Sequence, residues 1–499
     1  MTTIQLHTIE QAARWLQERV TGTLSADSRN LAQGDGFIAW PGAATDGRKY
    51  VNAALAAGAG ACLVEHAGAQ GYAFNDARVA TYAGLKAATG PVAAAYFGAP
   101  SQHLRVVAIT GTNGKTSTAW WLAQALDRLG RKCGIVGTLG IGEPGAMVFN
   151  GLTTPDPVLL QQQLRHFTDE GFVACALEAS SIGLEERRLD GTCIQLAVFT
   201  NFTQDHLDYH ASMKDYWEAK KRLFSWPGLQ AAVINMDDSK GLELSAELAG
   251  MPLDVWTFSC AGPARLRAQA ICQGAHDLSF EVVEGAERHG ISTSMVGCYN
   301  VSNLLGVLAS LRAMNVPLAD AVKACVDLSP VPGRTETLTV PGQPLVVIDY
   351  AHTPDALEKV LLAIKPVALS RGGRLWCVFG CGGDRDASKR PLMAAIAEEN
   401  ADRVVVTNDN PRSEDPQVII DQMLCGLIRP DAVLVQPDRA AAIAVALRLA
   451  QPGDVVLLAG KGHENYQDIQ GVKLVFSDRD QAQAALDALA ATCKVEDAA

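Results

Sequence analysis

The chain has 499 residues, too many for one ordinary core, so two to four domains are expected. Hydrophobic residues make up 48% and charged residues 19%, which excludes a disordered chain. A net charge of −12 argues against nucleic acid as a partner, because phosphate backbones need clustered Lys and Arg.

From the N-terminus, Thr8 and Gln11 have capping-box spacing, and Ile9, Ala12, Ala13 and Leu16 then recur at helical intervals, as in a small α/β unit. No apolar run is long enough to cross a bilayer and no basic-then-apolar leader is present, so a cytoplasmic chain without a membrane span is expected. Twelve scattered cysteines without a CxxC pair read as reduced core thiols, with Cys377 and Cys381 on a strand and the loop after it.

Leu104 to Thr110 is an apolar run that reads as a buried parallel strand, and a helix is expected from about Thr116 to Leu129. Between them stands Gly111-Thr112-Asn113-Gly114-Lys115-Thr116, a shortened phosphate-binding loop. Its glycines let the backbone curl so that N–H groups face phosphate oxygens. Lys115 can then reach the terminal phosphates and the Thr116 hydroxyl can ligate magnesium.

Asp205-His206-Leu207-Asp208-Tyr209-His210 is either a hydrogen-bonded loop or a metal site. With a phosphate loop in the chain, and Glu178 closing the apolar run Phe172 to Leu177, magnesium ligation is favoured. Lys220 shares a helix face with Tyr216, Leu223 and Phe224; spacing alone reads it as a solvated lysine, although a buried one could react with carbon dioxide to give a carbamate.

After further α/β alternation to about Ser329, the segment Pro330-Val331-Pro332-Gly333-Arg334 marks a domain boundary. Beyond it, the apolar runs Leu345 to Ile348, Leu375 to Phe379, Val404 to Val406 and Val455 to Leu458 each stop at a polar or glycine-rich segment. Helical patterns separate them, as in a doubly wound sheet, whose ligands gather beyond the carboxyl ends of the strands. Gly380-x-Gly382-x-x-Arg385 is not a dinucleotide fingerprint, since arginine stands where a third glycine is required. The expected fold is α/β in three domains. These are a smaller N-terminal α/β domain (1–100), a central P-loop ATPase-like domain (101–331) and a C-terminal Rossmann-like doubly wound domain (332–499).

Together these segments resemble the Mur ligase family, on DSR at 27–29, GTNGKTS at 111–117, TTPD at 153–156, EASS at 178–181, DHLDYH at 205–210, YNVSN at 299–303, PGRTE at 332–336, DYAHTPDAL at 349–357, GCGGDRD at 380–386, DNPR at 409–412 and GKGHE at 460–464. The resemblance implies an ATP-dependent amide ligase of peptidoglycan precursor synthesis that works through an acyl phosphate, with Mg2+ as cofactor. ATP would be held by Gly111, Thr112, Asn113, Gly114, Lys115, Thr116 and Ser117, with Asn303, Arg334 and Asp349. Lys115, His206 and a carbamylated Lys220 would be catalytic, and Thr116, Glu178, His206 and the carbamate would hold magnesium. A UDP-muramoyl dipeptide would lie against Ala26, Ser28, Ala43, Ala44, Thr45, Thr153, Thr154, Ser180, Glu186 and Arg188.

The incoming amino acid would be meso-diaminopimelate, bound by Arg385, Asp409, Asn410, Pro411, Arg412, Gly460 and Glu464. Physical chemistry agrees: diaminopimelate carries a distal carboxylate that lysine lacks, and the guanidinium of Arg412 offers it a planar fork. The alternative is that Arg412 merely pairs with Glu414 or Asp415. Three positions depart from the family pattern: Ile182, Leu152 and Glu186. Partners are expected to be these small molecules, with no nucleic acid, and the chain is expected to be a monomer. The rivals are folylpolyglutamate synthetase, which typically has GKG rather than GKT and no DNPR, and a nucleotide switch, which would need an NKxD motif that is not found.

Overall fold

A computed structural model describes residues 3–42, 45–274, 277–293 and 295–496. The first sheet has five parallel strands in the order Ile4–Leu6, Val79–Tyr82, Ala61–Glu65, Gly36–Ala39 and Leu24–Ser25. Helix Ile9–Gln17 begins where the capping spacing places it: Thr8 Oγ1 accepts from Gln11 N–H at 3.2 Å, and Gln11 Oε1 accepts from His7 N–H at 3.1 Å. That helix and Leu85–Tyr96 bury Trp15, Leu16 and Val92 against Ile38 and Leu63 of the sheet.

The second sheet has eleven strands. At its centre Arg105–Thr110 lies between Ala174–Glu178 and Leu196–Phe199, parallel to both. All three strands are apolar on both faces, as a sheet covered by helices on each side requires. The helix after the phosphate loop runs Lys115–Arg128. The expected alternation to Ser329 does not hold throughout, because Leu266–Gln273, Leu278–Glu284 and Glu287–Thr293 form an antiparallel meander. The period-two burial of Leu278–Glu284 and the turn at Gly285 (φ +60°) carry that signal, which an α/β reading passes over.

The segment from Pro330 crosses to the third sheet, with Gly333 and Thr335 in the left-handed region at φ +65° and +48°. The four apolar runs are parallel strands: Leu345–Asp349, Leu375–Phe379, Arg403–Val406 and Val455–Ala459. In space Val455–Ala459 lies between Leu345–Asp349 and Leu375–Phe379, so the polar segments that follow these strands meet at one edge. Six cysteines are buried, but Cys272, Cys298 and Cys425 are exposed and Cys193 and Cys260 half-buried, so the reading of all thiols as core residues is corrected. Among the described residues no helix is long and apolar enough to cross a membrane.

Candidate active site

A cavity of about 900 Å³ lies where the carboxyl ends of the second and third sheets face each other. Its walls include Thr112 to Ser117 of the phosphate loop, Thr153, Thr154, Glu178, Ser180 and Arg188, and from the third sheet Arg385, Asp409, Asn410, Arg412, Gly460 and Glu464. His206, Lys220, Asn303, Arg334 and Asp349 also line it.

The loop leaves its strand with Gly111 at φ +142° and enters its helix with Gly114 at φ +84°. A Cβ at Gly114 would lie 2.3 Å from Asn303 Oδ1, so only glycine lets helix Tyr299–Ala313 approach this closely. Lys115 Nζ donates to the carbonyls of Gly111 (3.0 Å) and Thr112 (2.8 Å), folded back over its own loop. Lys220 Nζ donates to the same Gly111 carbonyl at 2.7 Å and lies 4.4 Å from the Tyr216 ring centre. It is 1% exposed, which settles against a solvated lysine. Burial, and then the charge of Lys115, pull the Lys220 amine well below the usual ammonium range.

Glu178 ends its strand with its carboxylate buried, accepting from Thr116 Oγ1 (3.0 Å), Thr138 N–H (2.8 Å) and Thr138 Oγ1 (3.1 Å). No cationic side chain among the described residues lies within 4 Å of it, and its hydrogen-bond partners are neutral donors, so its oxygens are of the hard kind that suits a divalent cation. Burial pushes the imidazole of His206 down to about 3 against the opposing pull of Asp205, so it is neutral and has a lone pair to offer. His206 is also held at φ +54°, a conformation that costs a non-glycine residue about 1–3 kcal/mol and marks loops constrained for a purpose. Among the described residues no three His, Cys, Asp or Glu side chains converge into a ready-made metal site. The possible donors are one carboxylate, one imidazole, the Thr116 hydroxyl and whatever Lys220 becomes.

The third sheet reaches over this region through polar contacts. Arg334 Nη2 donates to Thr116 Oγ1 at 3.3 Å, and Asn113 Nδ2 donates to Asp355 Oδ2 at 2.9 Å. Asp205 lies 3.9 Å from His352 and 4.0 Å from Lys389, and Asp208 lies 3.8 Å from Arg385. Burial would raise the Asp205 carboxyl, but His206, His352 and Lys389 outweigh it and hold the group ionised. Asp349 closes its strand, accepting from Thr335 N–H (2.7 Å) and Ala351 N–H (2.8 Å).

Arg412 sits at φ +51°, fixed by backbone bonds across to the hairpin strand Tyr466–Ile469: its N–H to Asp468 O at 2.9 Å, and Gln470 N–H to its carbonyl at 2.7 Å. Its guanidinium donates to Gly383 O at 2.6 Å and has no carboxylate within 4 Å among the described residues. Glu414, the proposed local partner, is taken by Arg390 through two 2.8 Å bonds. Arg412 therefore lines the cavity with only a backbone carbonyl as its side-chain partner.

Other sequence-named residues lie elsewhere. Ala26, Ser28 and Thr45 lie in the connections between strands of the first sheet and are not part of the cavity wall, and Ala43 and Ala44 lie outside the described residues. Glu186 also stands off the wall, paired with Lys86 of the first domain at 2.8 Å and accepting from Tyr209 OH at 2.5 Å. Pro411 and Gly111 shape loops without lining the cavity. His352 and Asp355 stand in the DYAHTPDAL segment and Lys461 in GKGHE, where spacing alone gives these residues no role. A lysine flanked by glycines directly after a fully apolar strand was the available signal for Lys461.

Comparison with known proteins agrees with this geometry. Residues 109–311 match the Mur ligase middle domain, and residues 333–462 match the Mur ligase glutamate ligase domain. A protein of Acidovorax sp. (strain JS42) named UDP-N-acetylmuramoyl-L-alanyl-D-glutamate–2,6-diaminopimelate ligase is 58% identical over 96% of this chain and 97% of its own. A solved structure of a ligase of that name is similar with a TM-score of 0.65 at 35% identity, covering 94% of this chain and 95% of that one. Folylpolyglutamate synthase of Mycobacterium tuberculosis, solved with ADP and AMPPCP, has a TM-score of 0.60 at 21% identity, covering 74% and 91%, and shares the fold alone.

Proposed function

We infer the activity from one premise: the chain belongs to the Mur ligase family. It is an ATP-dependent ligase that joins meso-2,6-diaminopimelate to the D-glutamyl carboxyl of UDP-N-acetylmuramoyl-L-alanyl-D-glutamate. The observation that carries this reading is one continuous cavity lined by both the phosphate loop and the guanidinium of Arg412, which has no carboxylate partner among the described residues.

The reaction follows from that layout. ATP lies along the loop with its γ-phosphate toward Lys115, which leaves the Gly111 and Thr112 carbonyls to meet it. The D-glutamyl carboxylate enters along Thr153, Thr154, Ser180 and Arg188; one of its oxygens attacks the γ-phosphorus, the bond to ADP breaks, and an acyl phosphate forms. Lys115 and Arg334 face the charge that builds on the transferring group. Thr116, Glu178, His206 and a carbamylated Lys220 would hold magnesium, which would supply charge neutralisation at the phosphates. The diaminopimelate amine, placed by Arg412 at the distal carboxylate and by Glu464 and Asp409 at the distal ammonium, then attacks the acyl carbon. Inorganic phosphate leaves, the nitrogen gives up its proton, and the amide remains. The contacts of Asp205, Asp208 and Asn113 to the third sheet close the cavity over the acyl phosphate and keep water from it.

The test is direct. The protein is incubated with ATP, magnesium, the UDP-muramoyl dipeptide and either meso-diaminopimelate or lysine, and the product is weighed by mass spectrometry. Phosphate release should need both the dipeptide and diaminopimelate; steady ATP hydrolysis with neither would point to a nucleotide switch instead.

A further inference from the structure

Lys461 is a fully enclosed lysine in a pocket whose other charges face the cavity. Its Nζ donates to Glu464 Oε2 at 2.8 Å and to Asn410 Oδ1 at 3.0 Å. Asn410 Oδ1 also accepts from Asp468 N–H at 2.9 Å, which fixes the amide so that Nδ2 donates to Glu464 Oε2 at 2.8 Å. Glu464 Oε2 is thus held twice by the protein, while Oε1 has no protein hydrogen bond among the described residues and is left for a ligand.

Charge explains why a lysine is worth burying here. Asp409 stands beside Glu464, and burial followed by that neighbouring carboxylate push the Glu464 carboxyl up. Two acidic side chains against one basic one leave an acidic excess of one, in a cavity that the guanidinium of Arg412 also lines. That balance suits a ligand end carrying one ammonium and one carboxylate. Without the lysine, the same pocket would present two uncompensated carboxylates, which suit a ligand end that is only cationic.

We propose that Lys461 is a positioning and specificity-determining residue: it locks Asn410 and Glu464 into one arrangement and neutralises one carboxylate, so that a zwitterionic distal end is preferred to a cationic one. This rests on the reading of the Arg412 pocket as the amino-acid site.

The test uses the full chain with Lys461→Met, Lys461→Gln and Lys461→Arg, comparing meso-diaminopimelate with lysine. Lys461→Met should raise the KM for diaminopimelate at least tenfold with kcat at saturation and the KM for ATP within threefold, and should move the kcat/KM ratio toward lysine at least tenfold. Lys461→Gln, which can still donate to Asn410 but has no charge, should shift the ratio in the same direction and serves where the apolar variant loses its cooperative melt. Lys461→Arg should restore most of the preference. A folded Met or Gln variant whose lysine-to-diaminopimelate ratio stays within twofold of the parent overturns the proposal. An unchanged diaminopimelate KM in Arg412→Ala would instead remove the pocket assignment, and the role of Lys461 with it.

Discussion

Lys115 and Lys220 converge on a single backbone oxygen, the carbonyl of Gly111, at 3.0 Å and 2.7 Å. Two ammonium groups so placed repel each other, and the one that is wholly enclosed gives up its charge more readily. Carbamylation needs an unprotonated amine, which this shift of Lys220 favours, and the carbamate would turn repulsion of Lys115 into attraction. In carbon-dioxide-free buffer the enzyme should lose activity and regain it with bicarbonate, and intact-mass measurement should show the gain of one CO2. Lys220→Ala should fall roughly 100-fold in kcat and no longer respond to bicarbonate. A bicarbonate response that persists in that variant would place the effect elsewhere.

Lys115→Ala should abolish amide synthesis, a loss of about 1000-fold or more, because positioning and charge neutralisation are nearly all the protein supplies to phosphoryl transfer. Binding of the UDP-substrate, followed by calorimetry without ATP, should be almost unchanged, since the first sheet is built independently of the loop. Turnover near the parent rate would count decisively against the assignment.

Arg412→Lys is not conservative, because a point charge replaces a planar fork. Loss of a buried charge-assisted pair costs about 2–5 kcal/mol, so kcat/KM for diaminopimelate should drop roughly 100-fold or more in Arg412→Ala and by a substantial part of that in Arg412→Lys. Steady-state kinetics with saturating ATP and dipeptide decide it; an effect on the KM for ATP alone would contradict the placement.

Chelation of magnesium should stop phosphate release, and restoring it should be harder for Glu178→Gln, which keeps the shape and loses the charge. The magnesium concentration for half-maximal activity should rise about tenfold. A Glu178→Gln enzyme with the parent's magnesium response would exclude the carboxylate as a ligand.

Arg439 and Asp478 form a fully buried bidentate pair, with both bonds at 2.7 Å, tying helix Arg439–Leu449 to the last helix of the third domain. Removing one partner strands a charge, so Arg439→Ala or Asp478→Ala should each cost about 3–5 kcal/mol in urea unfolding of the domain. The paired replacement Arg439→Met with Asp478→Leu should cost less than either single change.

Local pattern determined a good deal of this protein. The Thr8 cap, the apolar strand before Gly111, the helix after Gly114 and the four runs of the third sheet are each written within about ten residues, because hydrogen-bonded turns and side-chain periodicity act over that span. The antiparallel meander from Leu266 is not legible in local pattern, because its alternation is short and only pairing between neighbouring strands decides between strand and helix for such runs. The motifs from GTNGKTS to GKGHE carry the family in the sequence itself. What tertiary structure alone decided is which charges meet. Glu178 is held by Thr116 and Thr138, Asn113 reaches Asp355, Glu186 is drawn off the cavity by Lys86, and Lys461 grips Asn410. These partners lie tens to hundreds of positions apart, and electrostatic and hydrogen-bond energies depend on distance and burial in space, which one-dimensional spacing does not carry.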